Sequence, residues 1–170
     1  MAQRTWLDDS PYDVLERNLL RLGKTMLVGA ILDVLFASVG FFFPGLLARW
    51  MGMPGPVDRF AFYQWAMAHM VFACFCVLAW LDVKRNIVIV GGAILTRSFD
   101  AMLMLVLVLF FDVPAGWLVL GGVSLALAVV HLILLRMSDF GLWEVLARAG
   151  NPPGFSPRTR IQERSEMRDQ

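Results

Sequence analysis

Hydrophobic residues fill four long stretches of the chain, and polar residues separate them. The stretches cover residues 22–43, 60–81, 87–111 and 115–135. Each is close to the roughly 20 residues that a helix needs to cross the hydrocarbon core of a bilayer. The stretches are continuous rather than alternating, and only helices satisfy their own backbone hydrogen bonds within lipid. The pattern therefore predicts four transmembrane helices.

The links between these stretches are short, at residues 44–59, 82–86 and 112–114. Links of this length make neighbouring helices antiparallel. We therefore expect an all-α polytopic membrane protein, a four-helix up-down transmembrane bundle with interfacial helices at both cytoplasmic ends. The first link contains a short apolar run at residues 46–51, which predicts a further interfacial helix on the outer side.

The flanking segments differ from the spans in their polarity. Residues 1–21 form an amphipathic lead-in whose helix starts at Ser10, Pro11 and Asp13. This lead-in either lies on the inner membrane surface or extends the first span, with Gly23 as a bend. The pattern of residues 136–150 predicts a segment at the membrane surface, in which residues 139–149 form an interfacial helix. Its apolar side is expected to hold Phe140, Trp143, Val145 and Leu146. Residues 151–170 form an Arg-rich tail whose composition predicts no stable structure of its own.

The positive charges predict an orientation. Twelve Lys and Arg residues fall on one side of the four spans and two, Arg49 and Arg59, fall on the other. Because Lys and Arg accumulate on the cytoplasmic side, both termini are expected in the cytoplasm of a bacterium, with the spans in its inner membrane. The twelve cytoplasmic cations are Arg4, Arg17, Arg21, Lys24, Lys84, Arg85, Arg136, Arg148, Arg158, Arg160, Arg164 and Arg168.

The composition excludes several classes of protein. Hydrophobic residues make up 58% of the 170, and charged residues make up 17%. Such a chain is neither an ordinary soluble domain nor a disordered one. A net charge of +1 argues against nucleic acid as a partner, and two cysteines cannot build a disulfide scaffold. The lipid bilayer is the expected surrounding.

Ionisable residues inside the spans are the main candidates for function, because they are costly in hydrocarbon. They are Asp33, His69, Arg97, Asp100 and His131. The first four lie near mid-depth, and His131 lies nearer the inner end. Small residues recur beside them at helical spacing, as they do where membrane helices pack together. We therefore expect these side chains to face the interior of the bundle.

The charges at mid-depth predict a buried polar cluster. Arg97 and Asp100 are three residues apart, so we expect Arg97 to bridge Asp100 and Asp33, with His69 nearby. An unpaired charge at this depth would cost at least about 2.5–3.5 kcal/mol. Three roles are open for the cluster: a structural lock between helices, a proton or ion pathway, or a polar pocket for a small ligand, quinone or pigment.

Metal and cofactor sites are weakly indicated. Soft ligands lie together on the second span, but Cys74 and Cys76 are two residues apart and point to opposite faces, so no metal site is expected. His69 and His131 differ in depth by about 12 Å, too far apart to bind one haem iron together. Either one alone is a candidate pigment or haem ligand beside a partner chain. No cofactor is identified by the sequence.

Several short motifs resemble a known group of proteins. They are Phe43-Pro44-Gly45 at the end of the first span, the loop from Leu47 to Pro54, the turn Asp82-Val83-Lys84-Arg85-Asn86, and Thr96-Arg97 in the third span. With these motifs, residues 22–135 resemble the small four-helix bacterial membrane proteins called BphX-like or DoxX-like. The resemblance implies the four-helix fold. It carries over no site residue, because few activities are assigned in those families.

Two functions are expected from the sequence. No phosphate-binding loop, nucleophile elbow, zincin motif or catalytic triad is present, which disfavours an enzyme and gives no catalytic residue. The first expectation is a non-catalytic accessory subunit of a larger membrane complex, such as an electron-transport or light-harvesting (photosynthetic) one. Its tail would contact the protein partner through Arg158, Arg160, Arg164 and Arg168. The alternative is a small proton-coupled transporter that uses the Asp and Arg cluster.

Overall fold

The computed structural model describes residues 11–53 and 58–147, and over these ranges the chain is helical, without strands. Six helices follow one another along the described chain. They are α1 Pro11–Phe42, α2 Pro44–Trp50, α3 Arg59–Leu81, α4 Ile87–Phe110, α5 Trp117–Met137 and α6 Leu142–Ala147. The predicted helix start at Ser10 and the predicted tail at 151–170 lie outside the described residues, as do residues 148–149 of the predicted inner helix.

Four of these helices are long and apolar enough to cross a membrane, so the prediction of a multi-pass membrane protein is confirmed at that level. They are α1, α3, α4 and α5. Helices α3 and α4 begin and end within one residue of the predicted stretches, and α5 is displaced by two residues toward the C-terminus. The agreement is close because Asp58, which caps α3, and the turn at 82–86 mark the ends of apolar runs in the sequence itself.

Helix α1 is continuous from Pro11 to Phe42, so the lead-in extends the first span. The alternative, a separate helix lying on the inner membrane surface, is wrong for residues 11–21. The reason is that the N-terminal part of α1 packs against the rest of the protein. Asn18 donates from Nδ2 to the backbone oxygen of Met137 at 2.9 Å, and Leu19 and Leu22 are buried.

The long helices associate mainly as two pairs, α1 with α3 and α4 with α5, and α1 also packs along α5. Contacts between α1 and α3 run in opposite order along the two helices. Gly23, near the start of α1, faces Val83 after the end of α3, and Gly40, near the end of α1, faces Trp65 near the start of α3. Small residues at these contacts let the helices approach closely.

Two apolar clusters fill the ends of the bundle. The first cluster includes Leu22, Met26, Val90 and Leu135, all fully buried. The second cluster is completed by α2, which follows α1 directly after Phe43. Its buried members are Leu47, Ala48, Met51, Phe62 and Leu120. The short helix predicted at residues 46–51 is therefore present as α2. The two clusters leave a middle layer between them.

Helix α6 begins at Leu142, three residues later than predicted, and packs on the bundle. Phe140 and Val145 are buried, and Val145 and Leu146 contact Gly91 of α4. Trp143, predicted on the same apolar side, is 75% exposed instead. Phe140 and Val145 therefore face the protein, whereas Trp143 does not. The tight packing against Gly91 turns one side of α6 toward α4 and leaves Trp143 on another.

Candidate functional site

A polar layer crosses the middle of the bundle and takes side chains from all four long helices. We define the polar layer as Asp33 of α1, His69 of α3, Arg97 and Asp100 of α4, and Ser124 of α5. These five residues line one small cavity. The cavity offers about 10 Å³ to the centre of a water molecule, which is about the space that a single water needs.

Asp33 and Arg97 form the centre of the polar layer. The Nη2 atom of Arg97 donates to Oδ2 of Asp33 at 2.5 Å, and the two residues are 4% and 2% exposed. Asp33 Oδ1 lies 2.9 Å from Nδ1 of His69, so both carboxylate oxygens of Asp33 have a partner. A buried ion pair is stable only when its remaining hydrogen-bonding atoms are also satisfied. Asp33 meets that condition fully.

The position of Arg97 depends on its neighbours. A Cβ atom on Gly29 would lie 3.0 Å from Arg97 Nη2, so the glycine gives the guanidinium room against α1. The guanidinium carbon also lies 4.9 Å from the ring centroid of Phe72, within the range of a cation–π interaction. Its Nε is buried without a hydrogen-bond partner in the described structure. Arg97 thus links α4 to α1 and α3.

Asp100 is not bridged by Arg97, so the prediction that Arg97 pairs with both acids is wrong. Instead Ser124 donates its hydroxyl to Asp100 Oδ2 at 2.5 Å. Arg97 and Asp100 are neighbours on α4 but contact different helices, because the guanidinium extends toward Asp33 and the carboxyl group faces α5. Asp100 is half-buried, and within the described chain no Lys, Arg or His forms a salt bridge with it.

His69 is the member of the polar layer that lies at its edge, next to the protein surface. Its ring packs edge-on against Trp65, with 4.4 Å between ring centroids, and its side chain is 21% exposed. Trp65 itself is seated against Gly40, where an added Cβ would lie 2.8 Å from the indole ring. With Nδ1 fixed by Asp33, the other ring nitrogen receives no hydrogen bond from the described residues. His69 is therefore the histidine of the chain that a second molecule can approach.

His131 has a different environment from His69. It is fully buried, and neither ring nitrogen has a hydrogen-bond partner among the residues described, although the backbone of Thr25 lies close by. Its Cε1 lies 3.8 Å from the position that a Cβ atom on Gly29 would occupy, next to the Arg97 guanidinium. A pigment or haem held by a partner chain would not reach this ring without repacking of the helices.

The soft ligands on α3 are not gathered into a metal site. Cys74 is exposed and Cys76 is buried, as expected for residues that point to opposite faces. Met67 and Met70 are exposed. Within residues 11–53 and 58–147, no three His, Cys, Asp or Glu side chains are grouped closely enough to hold a metal ion.

Some of the site's contacts were not expected from the sequence. Ser124 is a small residue of α5, and the sequence did not predict it as the hydrogen-bond partner of Asp100. Trp65 and Phe72 were also missed as neighbours of His69 and Arg97. A usable signal exists for Trp65, which lies one helical turn before His69 and therefore on the same face.

Comparison with known proteins gives no relative: no family model, curated protein or solved structure matches this chain.

Proposed function

We propose that this protein is a non-catalytic accessory subunit that packs, through its transmembrane helices, within a larger membrane complex. In this proposal the chain is an up-down-up-down bundle of the bacterial inner membrane, with both termini and α6 at the cytoplasmic surface. An electron-transport or photosynthetic complex remains the kind of assembly we expect. The resemblance to BphX-like and DoxX-like proteins belongs to the proposal and agrees with the four spans.

The observation that supports this role is the well-filled interior. The cavity lined by the polar layer has room for about one water and lies between two apolar clusters. The outer surface is therefore the surface available for recognition. Helices α3 and α4 offer the most exposed surface. In the most apolar 18 residues of each, 22% are buried, against 39% in α5. We infer that partner helices pack on the α3 and α4 side.

Mild extraction tests the proposal. The full chain, purified under gentle detergent conditions, should migrate in native gels and native mass spectra with larger membrane proteins. Ala68 of α3 and Ala126 of α5 are both exposed alanines within spans, so they form a matched pair. Ala68→Trp should reduce co-purification because its bulk lies on the partner side, whereas Ala126→Trp should not. A lone monodisperse monomer, or equal behaviour of the two variants, contradicts the proposal.

A second function is favoured by one specific observation, the presence of two carboxyl groups and one arginine in the polar layer. This arrangement suits a small proton-coupled transporter or proton-handling protein. In liposomes, Asp33→Asn should then abolish a proton flux while circular dichroism shows the helices intact. Unchanged flux in a folded Asp33→Asn variant rejects the transport role and leaves the accessory role standing.

A further inference from the structure

An open groove lies between α1 and α3 at one end of the bundle, away from the polar layer. It is lined by residues between 16 and 24 of α1 and by residues 80–84, where α3 ends and the next turn begins. Its volume is about 230 Å³, against about 10 Å³ for the cavity of the polar layer. The groove therefore has room for a group of many atoms.

The groove lies at the level where two spans leave the hydrocarbon core. Helix α3 ends at Leu81, and the mostly polar turn at 82–86 follows it. Helix α1 passes the same level at Gly23, where an added Cβ would lie 3.1 Å from Cγ2 of Val83. Trp80 lines the groove and is 40% exposed, and tryptophan is enriched at this depth. The groove therefore lies among the lipid headgroups.

The lining has an apolar part. Leu20 and Leu81 line the groove and are 62% and 66% exposed, whereas Leu19 and Val83 also line it but are buried. Apolar surface of this kind, at the end of a span, suits the first carbons of an acyl chain.

The charged part of the groove is unequally paired. Nζ of Lys84 lies 3.7 Å from Oε1 of Glu16, and both side chains are more than half exposed, so this ion pair is weak. Oδ1 of Asp82 accepts a hydrogen bond from the backbone nitrogen of Arg85 at 3.0 Å. Lys24 is exposed and forms no salt bridge within the described chain. Lys24 is therefore the cation of the groove that is available to an anion.

Cations also outnumber acids around the groove. When the lining residues and their immediate neighbours in the chain are counted together, the cations are Arg17, Arg21, Lys24, Lys84 and Arg85, and the acids are Glu16 and Asp82. Basic pockets between helices at the end of a span attract anionic lipid headgroups. The positive excess favours an anionic lipid over a zwitterionic one.

We propose that this groove binds an anionic phospholipid such as phosphatidylglycerol. Its phosphate lies at Lys24 and Lys84, and its acyl chains begin against Leu20 and Leu81. A phospholipid joins a phosphodiester to apolar chains, and so it matches the charged and the apolar parts of the lining at once. The site is independent of the proposed subunit role, because it needs only α1, the end of α3 and the turn that follows.

Fluorescence of Trp80 tests the site. The full chain is reconstituted in phosphatidylcholine brominated in its acyl chains, which quenches indoles on contact. The quenching of Trp80 is the difference between wild-type protein and Trp80→Phe. Unbrominated phosphatidylglycerol should relieve this quenching at lower mole fractions than unbrominated phosphatidylcholine. Equal relief by the two lipids overturns the proposal without reference to any variant at the cations.

Lysine substitutions assign the preference to the groove. Lys24→Gln should reduce the preference for phosphatidylglycerol by about fivefold, or abolish it, since one cation near the membrane surface contributes about that factor. Lys24→Arg should retain it. Lys24 is exposed and glutamine suits a helix as well as lysine does, so both variants should fold.

Arg59→Gln is the matched control, because it removes one exposed cation at the opposite end of α3. The preference measured at Trp80 should be unchanged in this variant. A preference that persists in Lys24→Gln overturns the proposed site. An equal loss in Arg59→Gln also overturns it, since the effect would then come from the overall charge of the protein.

Discussion

Single polar side chains decide how the middle of this bundle is held together. Asp33 uses both carboxylate oxygens, one for Arg97 and one for His69, and so joins α1 to α4 and α3. A buried carboxylate with two partners is far less costly than one with none, because each unpaired polar atom in the interior retains its desolvation penalty. His131 is in the opposite situation, since neither of its buried ring nitrogens has a hydrogen-bond partner among the described residues.

The two histidines therefore predict opposite results for the same substitution. His69→Phe removes the partner of Asp33 Oδ1 and should lower the free energy of unfolding by about 1–3 kcal/mol. His131→Phe removes two unsatisfied polar atoms and should leave stability unchanged or raise it by about 1 kcal/mol. Thermal unfolding of both variants in the same detergent measures the difference. A larger loss for His131→Phe than for His69→Phe would refute the assignment of their environments.

At the scale of helices, the close approach of α1 and α3 depends on Gly40. A Cβ atom there would lie 2.8 and 2.9 Å from two carbons of the Trp65 ring, distances at which the ring must move. Trp65 is also the ring that packs against His69, so displacement of the indole would reach the polar layer. Gly122 of α5 provides a contrast, because an added Cβ there meets open space.

Gly40→Ala and Gly122→Ala should consequently change the free energy of unfolding in opposite directions. Alanine favours a helix over glycine by about 1 kcal/mol when nothing opposes it, so Gly122→Ala should stabilise the protein slightly. Gly40→Ala should destabilise it by about 1–3 kcal/mol, because overpacking outweighs the gain in helix propensity. Unfolding of each variant, followed by circular dichroism in matched detergent, checks the prediction. Equal stabilisation by both alanines would show that Trp65 does not pack on Gly40.

The sequence predicts the helices of this protein well, but it predicts the contacts between those helices less completely. The bounds of α3 and α4 follow from apolar runs and from turn residues, which are local signals. The partner of Arg97 is not a local property. Spacing places Asp100 within reach on the same helix, yet the guanidinium extends to Asp33 because Gly29 leaves room for it on α1. Packing between distant parts of the chain therefore determines which acid pairs with Arg97.

At the scale of the whole molecule, the structure has a polar middle and two apolar ends. One end is closed by fully buried side chains of four helices, and the other end is closed by α2. This arrangement reverses the usual order of a soluble protein, in which polarity increases toward the surface. In a bilayer this arrangement is favourable because the polar side chains bind one another inside the bundle, while the exposed apolar faces meet acyl chains.

The orientation in the membrane gives a last prediction. Arg49 on α2 and Lys84 in the α3–α4 turn are both exposed, and α3 separates them. With Cys74 and Cys76 replaced by alanine, Arg49→Cys and Lys84→Cys supply one reactive thiol each. A membrane-impermeant maleimide added to spheroplasts should label position 49 and not position 84, because the excess of Lys and Arg accompanies residue 84 on the cytoplasmic side. Labelling of both positions after the membrane is permeabilised shows that each thiol is accessible. The reverse pattern in intact spheroplasts would place both termini outside, and labelling of both positions there would mean that α3 does not cross the bilayer.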